Sequence, residues 1–141
     1  MNILFFITPK REVSYIYEDY TIKQALDTME QYRYSSIPII NESGEYVGTI
    51  TEGDLLWSIK YRSKGIDIED FEKLSVTEIK RKKDNAPVAI SSDIEDLVLK
   101  SMNQNFVPVI DDQNVFIGII KRRDIIGYCY ERMNLCQKNL G

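Results

Sequence analysis

The sequence contains no histidine among its 141 residues. This absence excludes Ser-His-Asp and Cys-His catalysis, metal sites built on imidazole, and a histidine pH switch. The sequence also lacks a nucleophile placed beside a base, a metal-ligand cluster and a glycine-rich phosphate loop. These gaps argue against an enzyme and against a bound metal.

Cysteine is scarce, with only Cys129 and Cys136 present. The two lie in a stretch predicted to be helical, where a rise of about 1.5 Å per residue separates their Cα atoms by about 10 Å. That distance is too long for a disulfide. Two free thiols are typical of a reducing compartment, so we expect a cytoplasmic protein.

Long hydrophobic runs are also missing. The apolar run at residues 3–7 has no basic leader and is too short for a signal or membrane segment, so no membrane partner is expected. Its β-branched and aromatic residues predict a buried N-terminal strand that ends at Thr8 and Pro9.

Positive charge is in slight deficit, with 18 Lys and Arg against 22 Asp and Glu and a formal net charge of −4. This balance argues against non-specific binding to nucleic acid.

With 43% hydrophobic and 28% charged residues, the chain has a globular composition. Its length suits one domain, or two small half-domains that share a core.

The most informative feature present is an internal repeat with an offset of seventy residues. Pro38, Gly48 and Asp54 are followed, each seventy positions later, by Pro108, Gly118 and Asp124. The aliphatic residues around these positions match as well, over about twenty residues without a gap. The chain therefore contains two copies of one structural unit.

Each copy carries the same pattern of elements. Thr21 and Asp93 stand where a helix N-cap is expected, before amphipathic stretches with apolar residues at i, i+3 and i+4. Short strands precede these helices, and a hairpin follows them. Pro38 and Pro108 cannot donate to a ladder, so they should lie at strand starts or edges.

The predicted fold is therefore α+β, with two pseudo-symmetric β-α-β-β-α repeats that pack sheet to sheet and carry their helices outside. The functional cleft is expected between the repeats. The predicted segments are an N-terminal strand at 1–8, repeat 1 at 9–62, a structured connector at 63–82, repeat 2 at 83–130, and a C-terminal tail at 131–141.

Residues 48–54 take the first copy from a strand into a helix. Gly48 permits close approach of a ligand or of backbone, and free N–H groups at a helix N-terminus favour a bound phosphate. Thr51 and Asp54 have the spacing of a capping box, which explains the same residues without any ligand. In the second copy Lys121 replaces the threonine but Asp124 is kept, which suggests a further role for the carboxylate.

The repeated Pro-aliphatic-aliphatic turn, the paired strands and the Gly-x-x-Thr-x-x-Asp segment resemble a tandem pair of CBS domains, the Bateman module. The resemblance spans about residues 9–128. It implies a stand-alone, non-catalytic regulatory protein that binds AMP, ADP, ATP or a cyclic adenine dinucleotide between its repeats. It also implies a flat homodimer and a separate effector protein, which is unknown.

The same resemblance implies two nucleotide sites. In the first, Asp54 would bind the ribose hydroxyls and Thr51 the ribose-phosphate portion, and in the second Asp124 would take the place of Asp54. Lys121 departs from the hydroxyl pattern there and would reach a phosphate instead. The adenine slots would be lined in the first site by Pro87, Val88 and Phe106, and in the second by Val13, Ser14, Tyr34 and Ser35.

Two basic clusters remain. Arg122 and Arg123 stand at a predicted helix start, where cations oppose the dipole, so a phosphate or an acidic partner explains them better than helix stability does. Residues 80–83 are all basic and are either a phosphate contact or a solvated charged face.

A module with empty clefts that serves only in dimerisation or docking is the alternative to nucleotide binding.

Overall fold

The computed structural model describes residues 2–62, 65 and 67–140, with side chains up to residue 137. The chain divides into two compact units, Ser14–Asp84 (the first unit) and Met1–Val13 together with Asn85–Gly141 (the second unit). The predicted boundaries at residues 63 and 141 lie outside the described residues.

The first unit has a three-stranded sheet in the order β2-β3-β4. Strand β2 is parallel to β3, and β3 is antiparallel to β4. Along the chain its main elements are β2 (Ile16–Tyr17), α1 (Ile22–Tyr32), β3 (Ser36–Ile40), β4 (Tyr46–Thr51), α2 (Glu52–Arg62), α3 (Ile68–Glu72) and a 3-10 helix (Val76–Glu78).

The second unit repeats the β-α-β-β-α order and adds one strand from the N-terminus. Strand β1 (Thr8–Pro9) pairs antiparallel with β7, which gives a sheet in the order β1-β7-β6-β5. The other elements are 3-10 helices (Ile3–Phe6 and Lys10–Glu12), β5 (Val88–Ala89), α4 (Ile94–Ser101), β6 (Phe106–Ile110), β7 (Phe116–Lys121) and α5 (Arg122–Leu140). The predicted α+β fold with two β-α-β-β-α repeats is confirmed.

Local sequence explains where the first helix of each repeat begins. Thr21 accepts a hydrogen bond from the Gln24 N–H, and the Gln24 side chain accepts from the Thr21 N–H, which completes the predicted capping box. Asp93 caps α4 by accepting from the Asp96 N–H at 2.9 Å. The apolar stripe on each helix then packs into the core of its own unit.

The repeat extends to strand register. Ile39 pairs with Gly48 and Val109 pairs with Gly118, and the register shifts at the next residue in both hairpins. Pro38 lies inside β3 rather than at its start. Because β2 pairs with β3 only from Ile39 onward, β3 is bonded on one side at Pro38 and its missing N–H leaves no ladder position empty.

The prediction of a strand at residues 3–7 is wrong, because this run forms the 3-10 helix Ile3–Phe6. The Asn2 side chain accepts from the Leu4 N–H at 2.9 Å, which caps a turn where a strand would need an extended chain. Ile3 is fully buried but Phe5 is 80% exposed, so the run is only partly a core segment.

The described residues between β4 and β5 include two α-helices and a 3-10 helix. Helix α2 runs to Arg62, α3 follows at Ile68–Glu72, and α5 continues through residues 131–140. Cys129 and Cys136 are both free. Among the described residues, every helix is too short or too polar to cross a membrane.

Candidate functional site

The junction between β4 and α2 forms the capping box that its spacing allows. Thr51 accepts from the Asp54 N–H at 3.0 Å through its hydroxyl, and Asp54 accepts from the Thr51 N–H at 3.0 Å through Oδ2. The Glu52 N–H donates to the Ser35 carbonyl at 2.9 Å. The start of α2 is therefore anchored both locally and by the residue just before β3.

Asp54 also makes a long-range contact within the first unit. Its Oδ1 accepts from the Lys82 N–H at 3.1 Å, and the residue is only 5% exposed. A carboxylate has about four lone-pair positions on its two oxygens, so these two bonds leave acceptor capacity. Asp54 can therefore cap α2, hold residue 82 and still accept a hydroxyl from a ligand.

A second carboxylate holds the chain against the edge of β4. Asp84 accepts from the Thr49 N–H at 2.9 Å and from Arg81 Nε at 2.7 Å. The hydrogen bond to Asp84 raises the pKa of Arg81 above its ordinary value, so this guanidinium stays charged. Gly48 lies beneath the pair, where a Cβ would come within 2.5 Å of Asp84 Oδ1.

A cavity of about 690 Å³ runs beside α2, which we call the α2 groove. Asp54 near the start of α2 and Arg62 at its end both line it. The aromatic side chains of Trp57 and Tyr61, together with the basic side chains of Lys80 and Lys82, complete most of its wall. The groove therefore combines a carboxylate, aromatic surface and positive charge within the first unit.

The corresponding junction in the second unit, between β7 and α5, differs. Asp124 is exposed and, among the described residues, accepts no hydrogen bond. Lys121 has no hydroxyl with which to cap α5, as expected from the sequence. The Arg122 N–H donates to the Asn105 carbonyl at 3.0 Å, which repeats the anchor between Glu52 and Ser35.

Asp124 borders a cavity of about 490 Å³ along α5, the α5 groove. Its wall contains Arg123 and Glu131 from the helix and the apolar Phe6 and Ile7 from the N-terminal segment. Arg122 lies outside this wall, and its Nε donates to the Gln104 carbonyl at 2.9 Å. A phosphate contact by Arg122 or Arg123 remains a prediction.

The other predicted residues lie in both units. Val88 and Phe106 belong to β5 and β6 and are 2% and 5% exposed, with Pro87 half-buried beside them. Tyr34 is 39% exposed and stacks on Tyr32 with ring centroids 6.0 Å apart. Val13 and Ser14 are half-buried, and Ser35 is exposed. That these residues line adenine slots remains a prediction.

Several side chains that line the grooves were not singled out by sequence reasoning. Trp57 and Tyr61 are not among the predicted site residues, and Phe6 belongs to the predicted strand at residues 3–7. Helical spacing of Trp57 and Tyr61 from Asp54 would have placed them on one face of α2. No local signal links Asp84 to Thr49, which are 35 residues apart.

A metal site is not apparent in the described part of the chain. There, no three Cys, Asp or Glu side chains lie close enough together to hold a metal ion.

Comparison with known proteins places these features in a family. The CBS domain model matches residues 6–61 and again residues 76–131. Inosine-5'-monophosphate dehydrogenase of Aquifex aeolicus is 28% identical over 125 residues, which cover 87% of this chain and 24% of that protein. The chain thus spans about a quarter of the length of this curated relative.

Solved structures show the same fold. The CbpB protein of Listeria monocytogenes in complex with c-di-AMP aligns with a TM-score of 0.80 at 21% identity, covering 94% of this chain and 98% of that one. CBSX2 in complex with AMP aligns with a TM-score of 0.72 at 19% identity, with coverages of 94% and 98%. With both repeats matched by one family model, the chain belongs to the CBS domain family and carries two CBS domains in tandem.

Proposed function

We propose that this protein is a non-catalytic regulatory module that binds an adenosine-type nucleotide: AMP, ADP, ATP or a cyclic adenine dinucleotide. The observation that carries the proposal is the Asp54 carboxylate, held at the start of α2 beside the α2 groove. Two proteins of similar fold were solved with AMP and with c-di-AMP, which supports an adenine ligand.

The residue roles follow from the chemistry of each group. Asp54 accepts hydrogen bonds from the ribose hydroxyls, since a carboxylate is the strongest acceptor available for a vicinal diol. Thr51 contacts the ribose-phosphate portion, and Asp124 takes the role of Asp54 in a second site with Lys121 nearby. Pro87, Val88 and Phe106 line the first adenine slot, and Val13, Ser14, Tyr34 and Ser35 line the second.

A regulatory module of this kind works by differential binding. A nucleotide that binds one conformation more tightly shifts the population toward it, and an effector protein reads that change. No catalytic step is needed for this output. We place the protein in the cytoplasm, where adenine nucleotides are available and both cysteines stay reduced.

Thermal unfolding of ligand-free protein tests the proposal. We expect at least one of AMP, ADP, ATP and c-di-AMP to raise the Tm, because a ligand that binds only the folded state stabilises it by mass action. At a concentration of about 100 Kd the gain is about 2.7 kcal/mol. Asp54→Ala should abolish the rise, and mass spectrometry of freshly purified protein should recover the same nucleotide.

The matched control for this experiment is Asp112→Ala, an exposed aspartate in the β6–β7 turn that lies outside both grooves. Asp112→Ala should keep the full nucleotide-induced rise in Tm. A Tm that ignores all four nucleotides in verified ligand-free protein would contradict the proposed function.

A second candidate function, dimerisation or docking without a ligand, is favoured by apolar surface on two equivalent helices. Leu56 on α2 is 60% exposed, and its counterpart Ile126 on α5 is 56% exposed. Tyr130 and Met133 extend the exposed surface of α5, at 64% and 61%. Clustered apolar side chains of this kind mark interaction surfaces. We propose that these helices form a homodimer in either function.

Sedimentation at micromolar concentration measures the dimer directly. We expect the unaltered protein to be dimeric and both Leu56→Glu and Ile126→Glu to shift it to monomer, because a carboxylate would be desolvated in the interface. Leu99→Glu on α4 alters a side chain that is 57% exposed and should leave the dimer intact. A monomeric unaltered protein would contradict the proposed dimer.

A further inference from the structure

The two units carry equivalent grooves whose linings differ in charge. Each groove runs along the last helix of its repeat, from Asp54 on α2 or from Asp124 on α5. Positions seventy apart occupy the same place on the two helices, so Tyr61 corresponds to Glu131 and Trp57 to Gly127. Comparison of the lining residues of the two grooves therefore indicates which kind of ligand each groove can bind.

The α2 groove has an excess of positive charge. Arg62, Lys80 and Lys82 line it against a single carboxylate, Asp54. Within the described residues, neither Lys80 nor Lys82 forms a salt bridge, and both are exposed. Their charge is therefore available to a ligand.

The α5 groove has the opposite balance. Asp124 and Glu131 line it against a single cation, Arg123. The N-terminal segment, which borders this groove as residues 80 and 82 border the other, contributes Phe6 and Ile7 where the α2 groove has lysines. A phosphate placed there would be repelled by two carboxylates.

Backbone contacts keep the two lysines along α2. Arg62 donates to the Glu78 carbonyl near the end of the helix, and the Lys82 N–H donates to Asp54 at its start. Residues 78–82 therefore run antiparallel to α2, with Lys80 between the two anchors. Lysines on an anchored segment lose less conformational entropy on binding an anion than lysines on a loose chain do.

We propose that the α2 groove is the phosphate site of this protein, in which Lys80 and Lys82 bind the phosphate groups of the ligand and Trp57 forms an adjoining wall. The α5 groove does not bind phosphate, so a phosphate-bearing ligand occupies only the first of the two proposed sites, and the second site at Asp124 accepts only a ligand that places no phosphate in this groove. This assignment rests on the proposed function for its claim that the ligand is a nucleotide. The claim that the groove binds an anion does not depend on that function.

The only tryptophan of the chain is Trp57, which makes the site observable. Titration of ligand-free protein with ATP, and separately with inorganic triphosphate, should change the indole fluorescence with one equivalent bound per chain. Adenosine, which lacks phosphate, should bind with the same affinity to the unaltered protein and to lysine variants.

The paired variant Lys80→Gln with Lys82→Gln removes both proposed phosphate ligands. We expect affinity for ATP and for triphosphate to fall about 100-fold, which corresponds to about tenfold for each charge-assisted hydrogen bond that is removed. The matched control, Lys23→Gln with Lys73→Gln, removes two charges from exposed positions of the same unit and should change affinity less than about twofold.

The outcomes separate this inference from the proposed function. The phosphate assignment is wrong if nucleotide raises the Tm but does not change the fluorescence of Trp57, and if the variant with both Lys80 and Lys82 replaced binds ATP with unchanged affinity. The proposed nucleotide function would still hold in that case. Two equivalent ATP sites per chain would also overturn the phosphate assignment. If triphosphate binds as tightly as ATP, and if the Lys80 and Lys82 variant loses this binding while the control variant keeps it, the phosphate site is supported and an adenine-specific function is contradicted.

Discussion

Gly118→Ala should lower the free energy of unfolding by about 3 kcal/mol, because the new methyl group has no space on β7. A Cβ at residue 118 would overlap the Thr8 carbonyl oxygen and lie 2.9 Å from the Ile7 side chain. The backbone at Gly118 has φ near +158°, which side-chain-bearing residues rarely adopt. Because Thr8 pairs with β7, relief of the overlap requires β1 to move away.

The equivalent change in the first unit, Gly48→Ala, is the matched control for this prediction. Its Cβ would meet Asp84 Oδ1 at 2.5 Å and Arg81 Nη2 at 2.7 Å, which are the ends of side chains rather than backbone. These groups can rotate away with the loss of one or two hydrogen bonds, so we expect a cost of about 1 kcal/mol. Urea denaturation of both variants measures the difference, and equal costs would contradict it.

Features that depend on neighbouring residues were predictable from the sequence. The Thr21 cap and the Thr51–Asp54 capping box form because the groups that bond are three residues apart. The hairpins follow from apolar runs on either side of a polar turn, and both copies adopt the same register. The constant offset of seventy residues likewise identified two structural units.

Features that depend on distant residues were not predictable. Lys82 is 28 residues from Asp54, and Asp84 is 35 residues from Thr49, so neither hydrogen bond has a local pattern. The run at residues 3–7 was assigned to a strand by its composition, but the Asn2 cap favours a helical turn. Propensity alone could not decide between these conformations.

The grooves also combine features that were predictable from neighbouring residues with features that depend on distant residues. Their carboxylates were recognisable, since Asp54 and Asp124 recur at one position of the repeat. The positive excess of the α2 groove depends on Lys80 and Lys82, which are remote in sequence from α2, whereas the remote residues 5–8 bring no charge to the α5 groove and leave its two carboxylates in excess. A repeat can therefore keep its fold while its two sites diverge through the chain that borders them.

Asp54→Ala and Asp124→Ala should differ sharply in stability although the residues are equivalent in the repeat. Asp54 is 5% exposed and accepts from two backbone N–H groups, those of Thr51 and Lys82. Its removal leaves both donors without their acceptor, which we expect to cost about 2–3 kcal/mol. Asp124 is exposed and accepts no hydrogen bond among the described residues, so its loss should cost about 0.5 kcal/mol through the helix dipole.

Chemical denaturation without nucleotide measures both variants, and equal stabilities would contradict the structural role of Asp54.

The comparison of the two variants also separates effects on ligand binding from effects on stability. Because Asp54→Ala lowers the Tm even without a ligand, its effect on binding is measured only by the further rise that nucleotide adds. Asp124→Ala keeps the baseline, so any nucleotide response that it loses reports on the second site alone. Residual stability and ligand response together then separate a carboxylate that holds the fold from one that holds the ligand.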